Sequence, residues 1–316
     1  MTRALILAGG GILGIAWESG VLAGLEAAGI DTHDWDLVVG TSAGAYVGAR
    51  LTLDGSPAPL FALETSDNDA AVEADLEVLF GTGFVRATRI SRQPILRWVS
   101  WLWFATFVAT TLTRFAARRG VHAAIGLVAS LRSVRATADW QDLARRMGAL
   151  AETKRGSATV LIEHWEHTLG RAPVWPSTRL IATAIDTGDG SRRLFDAASG
   201  APLPAAVAAS SCLPGLLAPV RLLGRRYMDG GIISSTNADV ATGYDEVWVI
   251  TPGASDITDR EVETLRLSGS TVHLIRPGAQ ADLRLPSGMA AFDPSRRSAA
   301  ARAGYDDGRS AAASRP

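Results

Sequence analysis

Residues 4–17 read ALILAGGGILGIAW and residues 37–44 read LVVGTSAG. In each, a short continuous apolar run stops at glycine and gives way to a helical pattern. Leu5 to Ala8 and Asp36 to Val39 suit strands buried on both faces, and residues 15–28 and Ala43 to Leu53 suit helices. A strand, a glycine turn and a helix, repeated at once, is the rhythm of an α/β sheet. The sequence therefore predicts a central, largely parallel sheet flanked by helices.

Strand-like segments return at Arg179–Ala184, Arg193–Phe195, Arg226–Met228, Glu246–Ile250 and Val272–Ile275, whereas residues 57–170 are poor in strand signals. The expected layout is one domain over residues 1–290 with a helical insertion at about 57–170. A C-terminal helix through Arg309 and a disordered end make up the tail, residues 291–316. The apolar fraction of 47% and net charge of −1 give no global attraction to nucleic acid. Cys212 is the only cysteine, which rules out an intramolecular disulfide and a thiolate metal cluster. The apolar run after Arg3 is too short for a signal peptide, and a cytoplasmic location is expected.

Gly9-x-Gly11-x-x-Gly14 matches the dinucleotide fingerprint literally, yet free N–H groups at a helix N-terminus serve a pyrophosphate and an oxyanion equally well. The end of the second strand discriminates. A dinucleotide site wants an acidic residue there. The chain instead has Gly40-Thr41-Ser42-Ala43-Gly44, a G-x-S-x-G sequence in the strand-to-helix setting of a nucleophile elbow. Parallel neighbouring strands would bring both turns to one edge of the sheet. The glycine turn then reads as an oxyanion hole, with Gly9, Gly10 and Gly11 as donors.

A serine nucleophile needs a base. None of His33, His122, His164, His167 and His273 falls in a turn that looks catalytic, although His273 comes late in the chain, where an α/β-hydrolase histidine would fall. Asp229-Gly230-Gly231, after a short strand, is the better candidate, though Asp-Gly alone is also a plain turn signal.

With Gly9-Gly10-Gly11-Ile12-Leu13-Gly14, Gly40-Thr41-Ser42-Ala43-Gly44 and Asp229-Gly230-Gly231 in this order, the chain resembles the patatin-like phospholipases. The stretch AVAASSCLPGLLAPV, residues 206–220, resembles what precedes the family's aspartate. The resemblance covers about residues 3–276. It implies a lipid acyl hydrolase with a Ser42–Asp229 dyad, no histidine, an oxyanion hole in the first glycine motif, and neither metal nor cofactor. Leu13 departs from the family, which usually has arginine or lysine there. Aspartate, with a reference pKa near ~3.9 against ~6.5 for histidine, is a weaker base by about 3.5 kcal/mol.

Residues 95–115, ILRWVSWLWFATFVATTLTRF, carry Trp98, Trp101 and Trp103, and residues 98–113 carry no charge. Sixteen residues fall short of the ~20 that span a bilayer. Nine arginines and no Asp or Glu lie between Val78 and Ala138. Such a segment suits the surface of an anionic membrane, and a buried helix of the insertion suits it equally. The expected partner is thus a lipid or acyl ester, with peripheral contact at the inner membrane face. An acyltransferase or thioesterase with the same dyad is the nearest alternative. A nucleotide-binding oxidoreductase and a non-catalytic membrane-binding protein are the more distant ones.

Overall fold

The computed structural model describes residues 1–91, 113, 140–152, 158–170, 174–278 and 288–314. Strand β1 (Arg3–Leu7) runs through the glycine turn into α1 (Gly11–Ala27), and β2 (Leu37–Gly40) runs through Thr41 and Ser42 into α2 (Ala43–Asp54). Helices α3 (Ala58–Thr65), α4 (Asp69–Phe80), α5 (Thr82–Ser91), α6 (Trp140–Ala151) and α7 (Thr159–Thr168) follow. The chain then returns to the sheet with β3 (Leu180–Asp186) and β4 (Arg192–Phe195), α8 (Leu203–Ser210), β5 (Val220–Leu222) and β6 (Arg225–Asp229). Strand β7 (Glu246–Ile250), α9 (Asp256–Leu267), β8 (Thr271–Ile275) and α10 (Arg297–Ala313) complete it.

The strands form one sheet in the order β5-β6-β3-β2-β1-β7-β8, with β4 paired to β3. From β3 to β8 the pairings are parallel, and β4, β5 and β6 are added antiparallel. The largely parallel sheet expected from the sequence is the fold observed. Strand β5 is an addition, because three residues give too short an alternation to stand out from the loop around them.

Alternation along β1 explains why its run is apolar throughout. Leu5 and Leu7 join the core beneath α1, α2 and α8, while Ala4 and Ile6 join a second core with Val262 and Leu265 of α9. Both faces of β1 are covered, so every residue of it after Arg3 is apolar. No helix among the described residues is long and apolar enough to cross a membrane. Trp98, Trp101 and Trp103 lie outside the described residues.

The C-terminal helix extends to Ala313, beyond the expected stop at Arg309, and lies directly against α1. Close approach makes the contact possible. A Cβ on Gly24 would sit 2.1 Å from the Tyr305 carbonyl oxygen, and one on Gly304 would sit 2.1 Å from that of Trp17. The Trp17 indole also donates to Asp307 at 2.9 Å. Because α1 begins at the glycine turn, α10 braces the element that presents that turn. Gly304→Leu is expected to force the helices apart and cost about 3 kcal/mol, measured as a fall in Tm of roughly 6–12 °C by calorimetry.

Candidate active site

The parallel register carries the turn after β1 and the turn after β2 to the same edge of the sheet, where open α/β sheets bind ligands. Ser42 sits between β2 and α2 with φ 54° and ψ −116°, a conformation that non-glycine residues rarely adopt. Its surroundings hold it there. The Ser42 N–H donates to Ser210 Oγ at 2.9 Å, and the Gly44 N–H donates to the carbonyls of Ala8 and Thr41. Gly44 must be glycine, since a Cβ there would lie 2.2 Å from the Leu7 carbonyl oxygen. Helix α2 therefore packs onto β1 closely enough to bend the chain sharply at the serine.

Asp229 ends β6 and is 2% exposed. Its N–H donates to the Cys212 carbonyl at 2.9 Å, and its Oδ1 accepts the Gly231 N–H at 2.7 Å. The Ser42 side chain is near enough to act on its carboxylate and favours the ionised form. Burial pushes the Asp229 carboxyl up to about 6, against the pull of Ser42 and the Gly231 N–H. Cys212, the adjacent thiol, is itself pushed up to about 12 by burial and stays neutral.

The glycine turn lies against this pair. A Cβ on Gly9 would meet Ser42 Cβ at 3.4 Å, and one on Gly14 would meet Ala43 Cβ at 3.6 Å. Gly9 has its N–H bound to the Ser235 carbonyl at 2.9 Å, whereas Gly10 caps α1 and Gly11, at φ 62°, opens it. The N–H groups of a first helical turn have no intrahelical acceptors. Leu13 is 1% exposed and packs into the core.

A pocket of about 370 Å³ opens onto Ser42 and Gly11, within the range of small-molecule sites. Ile12 and Ile15 of α1, Val72, Leu76 and Leu79 of α4, and Leu161 of α7 supply apolar wall. One and two turns along α2 from Ser42, the lining becomes polar at Tyr46 and Arg50 and meets the buried Glu64–Arg297 ion pair, 2.7 Å apart. The Glu64 carboxyl is pushed up to about 7 by burial, in spite of Arg297.

Among the described residues, no histidine hydrogen-bonds Ser42. His164 and His167 line the pocket, and burial lowers the pKa of His164 from its usual value. His33 pairs with Glu26 on the surface, and His122 lies outside the described residues. His273 stands mid-strand in β8, stacked on Trp248, with Nε2 at 3.0 Å from Glu246 Oε1. Glu246 begins β7 and Ser42 follows the end of β2, so His273 is turned toward the opposite edge of the sheet. His273→Ala is expected to leave at least half of any esterase activity, measured on a soluble ester.

Sequence reasoning missed Ser210, which accepts the Ser42 N–H, and Thr183 and Asn237, whose side chains hydrogen-bond Thr41 beside it, as well as the contributions of α4 and α7 to the pocket. The Ser210-Ser211 pair falls in the stretch quoted above, but nothing local marks which serine turns inward.

A model of the patatin-like phospholipase family matches residues 5–242. The chain belongs to that family. No curated protein sequence matches it. Among solved structures it is similar to VipD from Legionella pneumophila, at 14% identity and a TM-score of 0.42, over 99% of this chain and 67% of that one. It is also similar to the type III effector protein ExoU, at 15% identity and a TM-score of 0.33, over 98% of this chain and 53% of that one. The chain thus spans about two thirds and about half of the lengths of these two proteins.

Proposed function

We propose that this chain hydrolyses an acyl ester bond of a lipid through a Ser42–Asp229 dyad. The observation that carries the reading is the strained Ser42 elbow, which acts on the buried Asp229 carboxyl and opens onto a pocket with apolar walls from α1, α4 and α7. Ser42 Oγ attacks the acyl carbonyl carbon while its proton passes to Asp229. The N–H groups of Gly10 and Gly11, together with the N-terminus of α2, stabilise the oxyanion. Collapse of the tetrahedral intermediate breaks the bond to the leaving alkoxide, which takes the proton from Asp229. Water then repeats the sequence on the acyl-enzyme, with Asp229 again as base, and releases the fatty acid.

Burial answers the difficulty of an aspartate base. A carboxyl at about 6 lies close to the histidine reference and recovers roughly 3 of the ~3.5 kcal/mol deficit. Its conjugate base still predominates at neutral pH. The apolar part of the wall suits an acyl chain, and the turn after β2, Gly40-Thr41-Ser42, offers no carboxylate to a ribose, which argues against the oxidoreductase alternative. Transfer to an alcohol would use the same groups, and product analysis in water and in added alcohol separates the two.

The deciding experiment is labelling with a fluorophosphonate, followed by peptide mapping and assay on a soluble p-nitrophenyl ester. Stoichiometric adduct at Ser42 with loss of esterase activity is expected. Active protein that takes no label at Ser42 overturns the proposal.

We extend the proposal to a membrane surface through Trp98, Trp101 and Trp103, on the composition of residues 95–115 alone. Replacing Trp101 and Trp103 by serine is expected to weaken partitioning onto anionic liposomes by about tenfold or more. Turnover of a soluble ester and Tm should hold. A joint fall of all three would make the segment core.

A further inference from the structure

Ser42 and Asp229 do not stand on neighbouring strands. Ser42 follows β2 and Asp229 ends β6, and β3 runs between them. Adjacent strands lie about 4.8 Å apart, so the two half-sites are held together across an intervening strand. What spans the gap is a buried polar cluster. Thr41, immediately before Ser42, has Oγ1 at 2.9 Å from Oγ1 of Thr183 on β3. Thr183 in turn meets the Asp229 loop, since a Cβ on Gly230 would fall 2.4 Å from its Oγ1. The Asn237 amide nitrogen reaches both hydroxyls, at 3.0 Å to Thr41 and 3.3 Å to Thr183, and also donates to the Ser234 carbonyl at 2.7 Å.

The orientation of that amide is fixed chemically. Its oxygen accepts from Arg192 Nη1 at 3.1 Å, and a guanidinium can only donate. Arg192 is itself held by Asp239 through two bonds of 2.7 Å. The nitrogen must therefore face the two threonines. Asn237 is fully buried and holds φ 49°, with its own N–H accepted by Ser234 Oγ at 2.9 Å. Every polar atom of the side chain has a partner, which rigidifies such a cluster.

We propose that Asn237 is a positioning residue, which through Thr41 and Thr183 sets the separation of the Ser42 elbow and the Asp229 loop across β3. The inference rests on the dyad reading given above. It assigns Asn237 no contact with the substrate, and its effect is on how close Ser42 is held to Asp229.

The test uses the full chain on a soluble p-nitrophenyl ester, with Asn237→Asp, Thr183→Val, their double variant, and Thr183→Ser, beside wild type and Ser42→Ala. Aspartate keeps the size and the acceptor toward Arg192 but removes both N–H donors. Asn237→Asp and Thr183→Val are each expected to lower kcat at least tenfold, with KM within about twofold. The double variant should lose little more than the worse single one, as coupled neighbours do. Thr183→Ser should restore at least half of kcat. Moving the Ser42 side chain away should also remove an interaction that lowers the Asp229 pKa, and so shift the acid limb of the kcat/KM profile to higher pH. A purely structural role would not move that limb.

If Asn237→Asp and Thr183→Val retain kcat and the acid limb while Tm alone falls, the positioning role is overturned and the dyad stands. If either variant fails to fold, Thr183→Ser and the other single variant still decide through kcat and the acid limb. An inactive wild type, or an active Ser42→Ala, overturns both readings, because there is then no dyad to position.

Discussion

Ser42→Ala is expected to abolish ester hydrolysis and fluorophosphonate labelling, with a loss in kcat of roughly a thousandfold to a millionfold. The fold should survive. The bond from the Ser42 N–H to Ser210 uses the backbone, and alanine keeps it. The lost hydroxyl leaves the Asp229 carboxylate its bond from the Gly231 N–H. Backbone conformation supplies an internal control. At φ 54° and ψ −116° a side chain is strained and glycine is not. Ser42→Gly should therefore be equally inactive yet about 1 kcal/mol more stable than Ser42→Ala, even after the entropic cost of glycine in the unfolded chain. Measuring kcat and chemical denaturation on the pair separates the nucleophile from the strained turn that carries it. Residual activity in either variant within tenfold of wild type would remove Ser42 from the chemistry.

The elbow was legible in the sequence because its causes are local. Glycines on both sides of Ser42, an apolar strand before it and a helix after it all act within eight residues, and the backbone follows from them. The central strands were legible for the same reason, since burial on both faces leaves continuous apolar runs such as Leu5 to Ala8. Asp229 was weaker alone, because Asp-Gly marks any turn, and gained meaning only in company with the upstream motifs. What stayed hidden is non-local. Ser210 reaches Ser42 from 168 residues away and Asn237 reaches Thr41 from 196 residues away, and neither contact leaves a trace in its own neighbourhood. The pocket wall of α4 is another case. Val72, Leu76 and Leu79 follow helical spacing that would equally describe a filled core, and only the packing shows that they face open volume. His273 looked eligible by its place in the chain, but strand direction puts it toward the wrong edge.

Asp229→Asn should separate stability from function, lowering kcat by about a hundredfold to ten-thousandfold while raising Tm. The sign follows from the carboxyl's displacement. Folding moves Asp229 from 3.8 up to about 6, so the folded protein holds the proton more tightly than the unfolded chain does. Stability is then lost, not gained, as pH rises through this window, and the full penalty remains at neutral pH. It amounts to about 3 kcal/mol at most, and no cation among the described residues offsets it. The groups that act on the carboxylate are the Ser42 hydroxyl and the Gly231 N–H, and the neighbouring Cys212 thiol stays protonated. Asparagine keeps an acceptor for Gly231 and offers Ser42 an N–H, so it removes the buried charge with little loss of hydrogen bonding. Calorimetry should find the variant more stable by roughly 2–8 °C at pH 8, by less at pH 5, and by almost nothing near pH 4. Wild-type activity should fall below pH of about 6 as the base is protonated. A variant less stable than wild type at every pH would mean that Asp229 is not a buried carboxylate held ionised for chemistry, and the proposed base would have to be sought elsewhere in the pocket, beginning with His164.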